Sequence, residues 1–142
     1  MSAKKVLSVS LVTPEGDAYD GEAEMVVVPG AAGEIGVLAR HAPLVALLKA
    51  GSVRIYESVD PEEMREYAVG PGFFKVERDR AIALVDDAIR ARDIDPDRAQ
   101  RQLEQARAEL EAIERGESTA DRWQVEQRIR HAENQLSVVG RS

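Results

Sequence analysis

Residues 95–113 read DPDRAQRQLEQARAELEAI, with apolar side chains at Ala99, Leu103, Ala106, Leu110 and Ile113. Steps of four, three, four and three keep these positions on one side of an α-helix. The same steps return at Val125, Ile129, Ala132, Leu136 and Val139, so a second helix follows. Asp95 can cap the first helix, and Pro96 stands where a missing N–H is harmless. Gly116 can close that helix, and Ser118 or Thr119 can cap the next. So short a connection predicts antiparallel neighbours, a helical hairpin. Trp123, near the start of the second helix, reads as a packing anchor. Both seams are thin, and the first is rich in alanine, so the hairpin is marginal against the entropy of ordering it. It needs another surface to lie against, which makes it a candidate for movement.

Towards the N-terminus the period changes to two. Leu7, Val9 and Leu11 alternate with Ser8 and Ser10; Val53 and Ile55 flank Arg54; Phe74 and Val76 flank Lys75; Ile82 and Leu84 close the series. Met25 to Val28 is continuously apolar, as for a strand buried on both faces. TPEGD, YDG, PG, VDPEE, GPG and ERDR interrupt these runs with turn-forming residues. Many short strands at regular spacing predict a sandwich or barrel. The reading is an all-β N-terminal sandwich over residues 1–90 and a C-terminal α-helical hairpin over residues 91–142.

The 142 residues are 44% hydrophobic and 32% charged, which fits a folded domain with a small appendage. A net charge of −7, shared by both halves, argues against nucleic-acid binding. No apolar run approaches the roughly 20 residues that span a bilayer, so any membrane association runs through a partner. The opening MSAKKVLSVSL resembles neither a signal peptide nor a transit peptide. There is no cysteine, and the two histidines, His41 and His131, lie far apart. With no HExxH or HxxxH spacing, a catalytic zinc site is not expected. No GxSxG elbow presents a serine, and the glycines of PGAAGEIG match neither nucleotide fingerprint. Glu104, Glu109, Glu111 and Glu114 alternate with Arg101, Arg107 and Arg115, the pattern of a solvated, salt-bridged face. No cofactor is expected, and an interaction module is the default.

Three stretches are specific enough to name a family. PGAAGEIGVLARHAPLVALLKAGSVRI, GPGFFKVERDRAIALVDDAI and ARDIDPDRA, with a terminal NQLSV, resemble in order the epsilon subunit of F-type ATP synthases. The resemblance covers essentially the whole chain. It implies a ten-stranded sandwich and two helices, in a non-catalytic rotor subunit of the central stalk. It implies contact with the gamma subunit and the c ring, coupling proton flow to ATP synthesis. In many members the hairpin also extends toward the catalytic beta subunit and brakes hydrolysis. A place on the cytoplasmic face of a bacterial membrane, peripheral through the complex, follows from the same resemblance, ahead of a plastid thylakoid. Glu34, Arg40 and His41 fall in the loop that faces the c ring in the family. Glu34 is weighed as an interface residue. His41 is open between that role and holding the loop's shape, and the family often has Gly where Arg40 stands.

Some members bind ATP through a motif of the form Ile/Leu-Asp-x-x-Arg-Ala, matched here by Ile94, Asp95, Arg98 and Ala99. Arg98 could meet phosphate with a fork of donors, while Asp95 serves equally as a helix cap. Gln105, His131 and Gln135 align where tight binders carry further basic residues. ATP binding is therefore expected to be weak or absent, which sets an ATP-sensing module second to the rotor subunit. A small enzyme built on His41 comes last, for want of a paired nucleophile.

Overall fold

The computed structural model describes residues 5–58, 60 and 63–140. The chain divides into two compact units, Met1–Arg90 and Ala91–Ser142. The first holds ten strands: β1 (Leu7–Thr13), β2 (Gly16–Ala23), β3 (Met25–Gly30), β4 (Gly33–Leu38), β5 (Leu44–Leu48), β6 (Gly51–Tyr56), β7 (Met64–Val69), β8 (Gly72–Glu77), β9 (Arg80–Val85) and β10 (Ala88–Arg90). The expected VDPEE turn lies partly outside the described residues.

The strands pair in the order β10-β7-β6-β3-β5-β8-β9-β1-β2, with β4 added on β3. The β3–β5 link is a single residue pair, Gly30 with Leu48, so the ladder folds there into two layers. All pairings are antiparallel except β1 with β9. Between the layers, Val26, Val28, Val37, Val53, Ile55 and Val69 meet Leu7, Val9, Leu11, Phe74 and Val76, all almost wholly buried. This is the expected sandwich.

Two strands present different faces from those the sequence suggested. β3 is not buried on both sides: Val26 and Val28 enter the core, while Met25 and Val27 are half-buried. Val27 lies opposite Arg54 of β6 and Gly36 of β4, so the outer side of this antiparallel sheet is partly solvated. In β9 the inward residues are Ala81, Ala83 and Val85, and Leu84 is 51% exposed. The cause is packing against the neighbour. Ala83 lies opposite Phe74, whose ring fills the core and leaves room only for a small partner. The β8–β9 approach is close enough that a Cβ on Gly72 would lie 1.9 Å from the Leu84 carbonyl oxygen, so only glycine fits.

The second unit begins with a single 3-10 turn, Ala91–Asp93, and contains α1 (Pro96–Glu114) and α2 (Arg122–Gly140). The Asp95 carboxylate accepts from the backbone N–H groups of Asp97 and Arg98, and Pro96 follows it. Gly116, at φ +74°, ends α1, with Glu117 N donating to Ala112 O at 2.8 Å. The second helix is not capped by Ser118 or Thr119. Asp121 accepts from Trp123 N at 2.9 Å, and Ser118 instead accepts from Ala120 N inside a longer connection. That placement also turns Trp123 outward, 63% exposed rather than an anchor. It sits two residues, about 200° of helix, before buried Val125.

The seam holds Ala99, Leu103 and Ala106 against Val125, Ala132 and Val138, all buried. Val138, rather than Val139, is the fully buried residue of the last turn. The acidic and basic residues beside the seam join across it. Arg128 reaches Glu109 at 2.7 Å, Arg122 reaches Glu114 at 3.1 Å and Arg107 reaches Glu133 at 3.3 Å.

Candidate interaction surfaces

Glu34 does not lie in a loop with Arg40 and His41. It is the second residue of β4, and the other two follow that strand's far end. Four residues of strand, about 13 Å at its usual rise, separate Glu34 from Leu38, and Arg40 lies in the turn beyond. What unites them is an edge: among the described residues β4 pairs only with β3, and its other side is unpaired. The Glu34 carboxylate accepts from Arg54 Nη2 at 2.8 Å and remains half-exposed. Arg40 adopts φ +65°, and its N–H donates to the Asp79 carboxylate of the β8–β9 turn. His41 Nδ1 donates to Ala42 O at 2.7 Å, while the residue as a whole is exposed. The ring is thus both tied to the backbone and accessible to solvent.

The motif at residues 94–99 folds as a helix start. Ile94 and Ala99 are buried, and one Asp95 oxygen accepts from two backbone N–H groups. Asp95 and Arg98 are exposed. Gln105 is exposed, and His131 and Gln135 are half-buried.

A third surface was not singled out from the sequence. On the outer side of the β5–β8–β9–β1 layer, Leu47 lies opposite Phe73, Phe73 opposite Leu84, and Leu84 opposite Val12. Leu47 is 62% exposed and Phe73 46%. The next row carries Val45, Lys75, Ile82 and Ser10. Three exposed apolar residues and the half-buried Val12 thus form a contiguous stripe across four strands, the kind of patch that interaction surfaces carry. The signal was present in GPGFF: two adjacent aromatics in one strand cannot share a face.

One polar network braces the sandwich. Arg65 Nε donates to Glu57 at 2.6 Å, the Tyr19 hydroxyl donates to the same carboxylate at 3.0 Å, and the guanidinium lies 5.8 Å from the Tyr19 ring centre. Burial, reinforced by the bond to Glu57, pushes the Tyr19 hydroxyl up to about 12. Burial alone would raise Glu57, but hydrogen bonds from Arg65 and Tyr19 outweigh it and hold this carboxyl below its ordinary range. The network ties β2 to the β6–β7 connection.

The beta-sandwich domain of the ATP synthase delta/epsilon chain family matches residues 6–91. The ATP synthase epsilon chain of Latilactobacillus sakei is 33% identical over 135 residues, covering 95% of this chain and 93% of that one. That of Rubrobacter xylanophilus is 39% identical over 134 residues, covering 92% and 90%. That of Halalkalibacterium halodurans is 37% identical, covering 95% and 98%. Among solved structures, a chain of the Euglena gracilis mitochondrial ATP synthase (OSCP/F1/c-ring, rotational state 1) shares the fold. Its TM-score is 0.75 at 20% identity, over 98% of this chain and 84% of that one.

Proposed function

The chain belongs to the ATP synthase epsilon-chain family, and from that premise we propose that it is a non-catalytic part of the rotor, seated between the gamma subunit and the c ring. The apolar stripe through Leu47, Phe73 and Leu84 is the observation that carries this reading. Exposed apolar side chains on three adjacent strands gain most of their value when a partner covers them. The stripe docks gamma, and the β4 edge, with Glu34 at one end and Arg40 and His41 at the other, contacts the polar loops of the ring. The sandwich then transmits torque between the ring and the catalytic head, coupling proton flow to ATP formation.

Attachment to the membrane is through these partners: no helix among the described residues is long and apolar enough to cross a bilayer. The complex then places the subunit on the cytoplasmic face of a bacterial membrane. The hairpin serves as a brake on hydrolysis, reaching the beta subunit when extended. Its thin alanine-rich seam and solvent-exposed ion pairs keep the cost of rearrangement low. Nucleotide sensing is the weaker reading: residues 94–99 favour it, but Asp95 serves as a helix cap and Gln105 and Gln135 replace basic residues.

Binding of the purified chain to the cognate epsilon-free synthase tests the docking surface. Leu47→Glu with Phe73→Glu, which places charge in the stripe without touching the core, is expected to weaken association by at least about a hundredfold. Unchanged binding would remove the stripe from the interface.

A further inference from the structure

We propose that the basic groove at the β8–β9 end of the sandwich binds a phosphate-bearing anion. The groove encloses about 480 Å³ and is lined by Lys75, Glu77, Arg78, Arg80 and Ile82. Elsewhere in the sandwich Arg54 pairs with Glu34 and Arg65 with Glu57, and only Arg90 stands without an ion pair among the described residues. Lys75 is paired with Glu77 at 3.3 Å. Arg78 and Arg80, and Arg40 beside them, make no ion pair among the described residues. In a chain of net charge −7, unpaired guanidinium groups gathered at one end are a local arrangement rather than a trend of composition.

The backbone there is unusual too. Among the described residues, the only non-glycine residues with positive φ are Arg40 at 65°, Arg78 at 51° and Asp79 at 57°. A two-residue hairpin turn needs that conformation, but glycine and asparagine adopt it with far less strain than arginine. Asp79 holds the arrangement together. Its carboxylate accepts from Arg40 N–H, and its carbonyl accepts from Ser8 N at 2.8 Å. The disfavoured conformation thus displays a guanidinium at the tip, which points to a use for the side chain. Forked guanidinium donors beside an ammonium match phosphate oxygens, and Ile82 gives the groove an apolar wall. The site uses no residue of the 94–99 motif and does not depend on it.

The phosphate could be free or carried by a lipid headgroup, and two probes separate these sources. The full chain is titrated with pyrophosphate while backbone amide resonances are followed. It is also floated with phosphatidylcholine vesicles with and without phosphatidylglycerol. Amide shifts centred on residues 75–82 identify a free anion, and capture by the anionic vesicles alone identifies a headgroup. Either response should fall by at least about tenfold in Arg78→Gly with Arg80→Gln. Glycine relieves the left-handed position, so this variant should melt no lower than the parent. Arg101→Gln with Arg130→Gln removes the same charge from the helices and should leave the response intact. No response to either probe at millimolar phosphate, or equal loss in both double variants, overturns the proposal.

Discussion

Arg128 on α2 donates to the Glu109 carboxylate on α1 at 2.7 Å, and both side chains remain partly open to solvent. Two further pairs, Arg122 with Glu114 and Arg107 with Glu133, cross the same seam. Exposed pairs contribute about 0–1 kcal/mol each and are screened by salt. Raising the salt from low ionic strength to 1 M should therefore lower hairpin stability by about 1–2 kcal/mol, with little effect on the sandwich. Amide hydrogen exchange in residues 96–140 measures this. Exchange that does not respond to salt would mean that the apolar seam alone holds the helices.

The phase of β9 can be tested by comparing its two sides. Ala83→Leu would force bulk against Phe74 and should cost about 1–3 kcal/mol. Phe74→Ala would leave a cavity and should cost about 3–5 kcal/mol. Leu84→Ser, on the exposed stripe, should change stability by no more than about 0.5 kcal/mol. Urea unfolding of the three variants gives the ranking. A Leu84 variant as damaging as Phe74→Ala would place the wrong face inward.

Tyr19 gives the sandwich a stability term at alkaline pH. Its folded pKa, about 12, lies above the ordinary phenol value of 10. The protonated hydroxyl is therefore favoured by folding: its contribution is complete below pH 10 and is lost as the pH rises through about 12. Glu57 runs the other way, its lowered pKa adding stability above the ordinary carboxylate range that disappears on acidification. Tyr19→Phe should flatten the alkaline limb of a stability–pH curve and leave the acid limb largely in place. An unchanged alkaline limb would show that the hydroxyl is not held by Glu57.

At the start of α1, Asp95→Ala removes the acceptor for two backbone N–H groups and should cost the hairpin about 0.5–2 kcal/mol. Millimolar ATP should leave hydrogen exchange in residues 96–140 unchanged in the parent chain. Protection gained at micromolar ATP would make the residue 94–99 motif a genuine nucleotide site.

The architecture was legible because each half keeps one period: two in the strands from Leu7 onward, and three to four from Ala99 onward. Helix punctuation was half legible. Asp95, Pro96 and Gly116 announce themselves, whereas Asp121 is masked by Ser118 and Thr119, which come first in the chain. Faces were the harder matter. Ala81 and Ala83 look like poorer core residues than Ile82 and Leu84, and only the register against Phe74 decides between them. The same limit hid the exposed stripe, which depends on pairing among four strands. Glu34 and His41, near in sequence, suggest one loop, because a short strand that carries two glycines gives little local signal.

The most direct test of the rotor-and-brake account is ATP hydrolysis by the cognate epsilon-free synthase head, with the full chain or residues 1–92 added back. The account predicts that both bind and that only the full chain suppresses hydrolysis. Binding by both with suppression by neither would contradict it, leaving the sandwich as the functional part and the hairpin as a passive strut.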